Sequence, residues 1–241
     1  MHTSKILAVF LSILAHSGAF ASDSTKALVG EKVLRLPVPS GFVDPKDAIP
    51  VLYSNAERLT PPHMRLLTVY VTGADISATQ SGSAPKFESY FMTQVLRSKE
   101  ADSLDVTEFA KVKAQVHGAP KIQDQKQVRA EVQRHIDSAA RDIGSKVEHS
   151  ELALKIGESR QLEIFNETDR SLSMLAVSGI EGTIGSRRYV ALVGQVTSFV
   201  LLRGKVVLFT AYKKIEGDAD YSWLRKQSES WVQLAVSENP S

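Results

Sequence analysis

Stretches in which apolar side chains recur at every second position predict β-strands over much of the chain. Near the C-terminus, residues 187–202 and 206–212 are rich in Val, Leu, Phe, Tyr and Thr and flank the polar turn Arg203–Lys205. Two such runs around a short turn that contains glycine are typical of a β-hairpin. Residues 64–72 are apolar at both alternate sets of positions, which favours a central strand covered on two sides. Further strands are predicted at 32–38, 87–97 (where a helix is the alternative), 152–156, 161–166 and 171–178.

Apolar positions spaced three to four apart predict helices in the middle of the chain. Residues 105–116 and 121–143 carry such stripes, and Gly144 is placed to end the second helix. An acidic residue followed by proline predicts a short helix at 44–49. The small and polar residues 75–86 predict an exposed loop.

A last helix is predicted to begin near Asp218 or Asp220, where the helix dipole favours acidic side chains. It carries Trp223 and Trp231, and large aromatic residues on a terminal helix more often seal a sheet than line a ligand cleft. Together the elements predict an α+β fold, in which helices pack against a mostly antiparallel sheet and the C-terminal helix seals it.

The first residues have the pattern of a secretory signal. Lys5 precedes the apolar run Ile6–Ala15, and Ala19–Ala21 fits the small-residue rule for cleavage. We therefore predict a cleaved signal peptide over residues 1–21, with a retained N-terminal anchor as the alternative, although the run is short for a membrane span.

Composition and the signal together predict where the mature chain resides. The 241 residues contain no cysteine, which excludes disulfides, thiolate metal sites and a lipid-modified cysteine. Because secreted eukaryotic proteins of this size more often carry disulfides, we predict a periplasmic or secreted protein, most simply from a Gram-negative bacterium. Residues 22–30 are small and polar and predict a flexible leader, and residues 31–241 predict a single α+β domain.

The charges of the mature chain are nearly balanced. Once Lys5 leaves with the signal, 28 Lys and Arg residues face 27 Asp and Glu residues, so the formal net charge is +1. No overall field then attracts nucleic acid or an anionic membrane, and no later run is apolar and long enough to span a bilayer. Basic side chains near the ends of the final hairpin either grip an anionic ligand or keep the sheet edges soluble: Arg187, Arg188, Arg203, Lys205, Lys213 and Lys214.

The chain lacks the common sequence motifs for catalysis and cofactor binding. The chain has no Gly-x-Ser-x-Gly nucleophile elbow, no His-Glu-x-x-His pair and no phosphate-binding loop, so no cofactor is predicted. Glu131 and His135 are four apart on a predicted helix and therefore adjacent, and His149 is flanked by glutamates. These three residues are the candidate metal ligands, although surface ion pairs are the simpler interpretation.

Two terminal segments resemble a known group of proteins. They are Leu36–Phe42 near the start, and Lys205–Tyr212 with Asp220–Trp223 and Trp231 at the end. The chain is similar in these segments to the PsbP-like and DcrB-like extracytoplasmic α/β/α sandwiches. The resemblance implies a small binding or assembly factor, and it supplies no catalytic residues.

The leading functional hypothesis is therefore a non-enzymatic periplasmic or secreted module that binds a protein or small-molecule partner. The alternative is a hydrolytic or metal-dependent enzyme, which would gather His135 or His149 with two carboxylates in a cleft. A third possibility is a structural protein that oligomerises through an exposed strand edge.

Overall fold

The computed structural model describes residues 24–83, 85–118, 126–144, 152–184 and 187–240, so the predicted signal peptide and His149 lie outside the described residues. Besides a short 3-10 helix at Arg97–Lys99, the chain forms nine strands and five α-helices within these ranges. They are β1 (Ser24–Val29), β2 (Lys32–Pro37), β3 (Phe42–Val43), α1 (Pro50–Leu59), β4 (Met64–Thr72), α2 (Gly73–Gln80), β5 (Ser89–Leu96), α3 (Val106–Gly118), α4 (Lys126–Gly144), β6 (Leu152–Phe165), β7 (Ser171–Ile184), β8 (Arg187–Leu202), β9 (Lys205–Lys214) and α5 (Asp218–Glu238).

The described strands form one large antiparallel sheet and one separate hairpin. The large sheet has seven strands in the order β3-β4-β5-β9-β8-β7-β6, and every neighbouring pair is antiparallel. Strands β1 and β2 pair with each other outside this sheet. Helix α5 packs on β8, β9 and β2. The predicted α+β fold with a C-terminal sealing helix is confirmed.

The core lies between α5 and one face of the sheet. A row of directly paired residues crosses five strands beneath the helix: Tyr70, Phe91, Ala211, Val196 and Leu175. Trp231 packs edge-on against Phe91, with ring centroids 5.0 Å apart. Its indole Nε1 donates to the carbonyl oxygen of Pro37 at 2.7 Å, which also ties β2 to the helix. The prediction that this tryptophan is a core residue is confirmed.

Helix α1 lies on the opposite face of the sheet, and α4 lies along the edge strand β6. Gln94, which alternates with the core residues of β5, donates from Nε2 to Oγ1 of Thr60 at the end of α1, at 3.4 Å. Helix α4 contacts both β6 and α1, and its Gln133 side chain accepts a hydrogen bond from the backbone N–H of Ile156 at 3.1 Å. The sheet therefore has α5 and the β1–β2 hairpin on one face and α1 on the other, with α4 along its β6 edge.

The predicted flexible leader is wrong for residues 24–29. These residues form β1, and all six pair with β2. Val29 is buried, with 1 % of its surface exposed, and packs in the core. The first half of the segment, Ser24–Lys26, is polar, and pairing with β2 and packing of one face supply what local propensity lacks.

Three further local predictions differ from the structure. The helix predicted at 44–49 begins instead at Pro50, which is a first-turn proline as expected for a helix start. The loop predicted at 75–86 contains α2, whose first turn is capped by the Thr72 hydroxyl accepting from the N–H of Asp75 at 3.1 Å. The strands predicted separately at 152–156 and 161–166 form one continuous strand, β6, with a break in register between Ile156 and Ser159, because one strand can absorb extra residues as β-bulges.

Candidate binding surfaces

Lys205 is the most deeply buried cation among the described residues, and it holds the hairpin to the rest of the fold. Its side chain is 1 % exposed. The Nζ atom contacts Oε2 of Glu31 at 3.1 Å and donates to the carbonyl oxygens of Glu100 and Asp102 at 3.0 and 2.8 Å. Hydrogen bonding to its own backbone, and then to Lys205, lowers the pKa of Glu31. With its ammonium enclosed by these oxygens, Lys205 is not available to an external anion.

The glycine beside this lysine is required by the same close approach. Gly30 lies in the turn between β1 and β2 with a φ of +55°, a conformation that L side chains rarely adopt. A Cβ atom at this position would lie 2.4 Å from the Glu100 carbonyl oxygen and 2.9 Å from Lys205 Nζ. The hairpin turn, residue 100 and the lysine are therefore packed as one unit.

Three of the other basic side chains predicted near the final hairpin also have partners within the chain. Lys213 lies 3.3 Å from the Asp220 carboxylate and above the Trp223 ring, Lys214 contacts Glu216, and Arg188 contacts Glu181 at 3.0 Å. Backbone hydrogen bonds from the Glu216 N–H, and then Lys213, lower the pKa of Asp220. Arg203 is exposed. These partners favour the view that most of the basic residues near the hairpin stabilise strand and helix ends.

The candidate metal ligands do not form a complete site in the part of the chain that is described. Glu131 and His135 both lie on α4, as predicted, with Glu131 exposed and His135 partly buried. No group of three or more His, Asp or Glu residues that could hold a metal is present among the described residues. The Nε2 atom of His135 is buried and has no hydrogen-bond partner there.

An open groove of about 340 Å³ runs between α4 and the neighbouring strands. Gln133 and Asp137 line it from the helix, and Lys155, Glu181 and Arg188 line it from β6, β7 and β8. The groove carries both signs of charge, and Arg188 and Glu181 are already paired with each other. The groove offers polar contacts to a partner, and the residues that line it do not pair a nucleophile with a base for catalysis.

The most unusual surface lies where the sheet extends past the end of α5. Strand β9 ends at Lys214, which pairs with Val193, so the first part of β8 continues beyond it. We call the α5-facing side of this extension the distal face. It is formed by Lys155, Gly157, Gly179, Glu181, Val190 and Leu192.

The distal face has the same apolar construction as the covered sheet, but it is exposed. Val196 and Val200 face α5 and have no exposed surface, whereas Val190 and Leu192, on the same side of the same strand, are 67 % and 45 % exposed. Because side chains alternate along a strand, all four point the same way. No described residue covers the last two as α5 covers the first two.

Glycines show the same contrast between the two parts of the sheet. A Cβ atom on Gly194 would lie 2.6 Å from Leu224 Cδ1 and 2.7 Å from Ile215 Cδ1. Glycine at this position therefore allows α5 and the segment that precedes it to pack closely on β8. On the distal face, Gly179 pairs with Leu192, and a Cβ atom there would meet nothing within 4 Å. Gly179 and Gly157 both line a shallow depression of about 170 Å³ on this face.

Sequence reasoning found the strand but missed this surface. The run 187–202 was predicted as one strand with no distinction between its two parts. The strand predicted at 171–178 continues to Ile184 and includes Gly179 and Gly182. The alternation of apolar residues continues unbroken through the covered and the uncovered part. Only the end of β9 and the start of α5 decide which part is exposed.

Comparisons with known proteins do not identify a family for this chain. No protein-family model and no curated protein matches it. Among solved structures, the chain is similar to the Saccharomyces cerevisiae Ran-binding protein Mog1p, at 12 % identity and a TM-score of 0.32, with 91 % of this chain and 93 % of that chain covered. A mutant of Mog1 gives 11 % identity, the same TM-score of 0.32, and coverage of 90 % and 93 %. Likenesses this low support no conclusion about function.

None of the described helices is both long enough and apolar enough to pass through a bilayer.

Proposed function

We propose that the protein is a non-enzymatic binding or assembly module of the periplasm or the secreted space, and that it binds a partner protein through the distal face. The observation that supports the proposal is the contrast within β8, where Val190 and Leu192 are exposed and Val196 and Val200 are not. Contiguous exposed apolar surface on a folded protein marks an interaction site more often than chance.

The partner we propose is an amphipathic helix of another protein. Helix α5 already packs on this side of the sheet, and the distal face continues the same surface beyond its N-terminus. The open space above Gly179 corresponds to the space above Gly194 that Leu224 fills. A helix laid in line with α5 would place an aliphatic side chain there and cover Val190 and Leu192, as amphipathic helices do in apolar grooves.

The charged rim of the distal face adds a requirement for this helix. Lys155 is exposed at one side, and Glu181 and Arg188 form an ion pair at the other. An acidic residue flanking the apolar stripe of the partner would pair with Lys155. Such rim contacts contribute more to specificity and association rate than to affinity.

The test is site-specific photo-crosslinking followed by measurement of affinity. A photoreactive amino acid at position 190 is expected to capture a partner, and the same group at Val51, which is 63 % exposed on α1, is expected not to. The captured protein is then purified, and its Kd is measured for the wild type, Val190→Asp and Val51→Asp. We expect Val190→Asp to weaken binding by roughly tenfold or more, as for an interface anchor, and Val51→Asp to leave it unchanged. Equal Kd values for the two variants would refute the proposal.

A metal-dependent enzyme is the second candidate, because the Nε2 atom of His135 is buried without a partner among the described residues. Binding of Zn²⁺ to the native state would raise the melting temperature by mass action. The experiment compares the thermal shift caused by Zn²⁺ in the wild type and in His135→Ala. A rise that is lost in the variant would favour this candidate over the binding module.

A further inference from the structure

The β1–β2 hairpin packs on the sheet beside α5, and its two faces differ sharply. Val29, Leu34 and Leu36 point inward and are at most 1 % exposed. Leu28 and Val33 pair directly across the hairpin, point outward, and are 59 % and 49 % exposed. Two aliphatic side chains therefore lie side by side on the outer surface.

Basic side chains flank this aliphatic pair. Lys26 and Arg35 pair with each other two positions farther along the same outer face, and both are exposed. Arg203 reaches the hairpin from the β8–β9 turn and donates from Nη1 to the Val33 carbonyl oxygen at 3.0 Å. We call Lys26, Leu28, Val33, Arg35 and Arg203 the hairpin face.

The charge of the hairpin face is not balanced within the described chain. Like charges directly opposite each other on two strands are unfavourable, yet Lys26 faces Arg35. None of the three cations forms an ion pair with a described carboxylate. The acidic residue in the hairpin turn, Glu31, is already held by Lys205 and lies 3.9 Å from Lys32. The described residues therefore supply no anionic counterpart to this face.

The strand edges of the hairpin are closed at the positions nearest this face. The Asn239 side chain bonds both the N–H and the carbonyl oxygen of Arg35, at 2.9 and 2.7 Å. Arg203 occupies the Val33 carbonyl oxygen, and Arg65 donates to that of Leu28 at 2.8 Å. Because these backbone groups are occupied, a partner strand cannot pair with them, and a partner meets the side chains of the face instead.

We propose that the hairpin face binds the surface of an anionic lipid bilayer. Leu28 and Val33 enter the boundary between head groups and acyl chains, while Lys26, Arg35 and Arg203 contact lipid phosphates with their long side chains. The observations favour a bilayer over an acidic protein because an exposed aliphatic pair lies next to three cations on one outward face. A single small patch of this kind gives reversible, salt-sensitive attachment.

This attachment is independent of the proposed partner helix. The hairpin face adjoins the end of β8 near Leu202, through the turn residue Arg203, whereas Val190 lies toward the other end of that strand. A chain held to a bilayer by the hairpin would keep its distal face well away from the lipid. The near-neutral charge of the whole chain is compatible with this, since the attraction is local.

The test is co-sedimentation of the mature chain, residues 22–241, with vesicles of phosphatidylcholine containing about 30 % phosphatidylglycerol, and with vesicles of phosphatidylcholine alone. We expect binding to the anionic vesicles that falls as salt rises and is far weaker on the neutral ones. Each removed cation is expected to weaken vesicle binding roughly fivefold. Lys26→Glu combined with Arg35→Glu removes two cations and adds two carboxylates, so it should reduce binding by more than about twentyfold. Lys111→Glu with Lys226→Glu changes the net charge equally at exposed sites elsewhere and should have little effect.

A second pair of variants separates the aliphatic contribution from the charges. Leu28→Ser with Val33→Ser should weaken binding to the anionic vesicles, and Val51→Ser should not, with thermal unfolding used to verify that each variant is folded. Equal losses in the hairpin variants and their controls would overturn the proposal. Binding to polyglutamate without binding to anionic vesicles would also overturn it, because the face would then recognise an acidic polypeptide.

Discussion

The two parts of strand β8 have nearly the same sequence character and opposite surroundings. From Gly194 to Leu202 the strand lies under α5, and its inward valines have no exposed surface; from Val190 to Leu192 it lies beyond the helix and is open. The difference is made by α5 and by the length of β9, not by the strand. An apolar strand face is therefore a core where an element of the same chain covers it, and a candidate interface where none does.

The largest expected effect is at the covered part. Trp231→Ala removes the side chain that packs on Phe91 and Phe209 and donates to Pro37. We expect a loss of about 3–5 kcal/mol in the free energy of unfolding, measured by urea denaturation. Val190→Ala, at the exposed part, should change it by less than about 0.5 kcal/mol. Similar losses for both would mean that something covers the distal face in the isolated protein.

A second comparison sets the buried lysine against an exposed one. Lys205→Met leaves the carbonyl oxygens of Glu100 and Asp102 without their donor. We expect this change to lower the free energy of unfolding by about 2–3 kcal/mol. Lys155→Met on the distal face is expected to be close to neutral. The same urea experiment measures both, and a neutral Lys205→Met would contradict the role given to this lysine in docking the hairpin.

Two glycines provide a comparison with smaller effects. Gly194→Ala places a Cβ atom 2.6 Å from Leu224 Cδ1, and overpacking should cost about 1–3 kcal/mol. Gly179→Ala places a Cβ atom in open space, so stability should be unchanged or slightly higher. If the distal face binds as proposed, Gly179→Ala should weaken partner binding while leaving stability intact. The melting temperature and the Kd of the captured partner check these two outcomes.

The smallest effect concerns acid stability near the hairpin. Arg65 bonds both carboxylate oxygens of Glu100, and these hydrogen bonds lower the pKa of Glu100 below its ordinary value of 4.5. A lowered pKa in the folded state means that the stabilisation is present above the ordinary value and is lost as pH falls through the folded-state value. The wild type should therefore lose more stability between neutral pH and pH below 4.5 than Glu100→Gln does. An identical pH dependence of the two melting temperatures would contradict this.

Local patterns predicted the parts of the fold that have strong periodicity. The strand at Met64–Thr72 has the predicted bounds, the final hairpin is present, and α5 begins at Asp218 as expected. Strand β1 was missed because its first half, Ser24–Lys26, is polar; it is held in place by pairing with β2 and by burial of Val29. Helix α2 was missed because its residues are small and its cap comes from Thr72 in the preceding strand.

The candidate surfaces were less predictable than the fold. Nothing in the local sequence distinguishes Val190 from Val196, or Lys205 from Arg203, because their exposure depends on residues far away along the chain. Of the predicted metal ligands, Glu131 and His135 are found on one helix, and the part of the chain that is described offers no third ligand with them. Whether one of these residues is exposed or buried is decided by the elements that pack against it.

The most direct test of the central claim uses the absence of native cysteine, which lets a single introduced thiol report on its surroundings. Val190→Cys and Val51→Cys replace residues that are 67 % and 63 % exposed, and both should react rapidly with a maleimide in the purified protein. In intact cells we expect the thiol at position 190 to react several times more slowly, because a partner covers the distal face, while the thiol at position 51 reacts as before. Equal reactivity of the two thiols in cells would contradict the account.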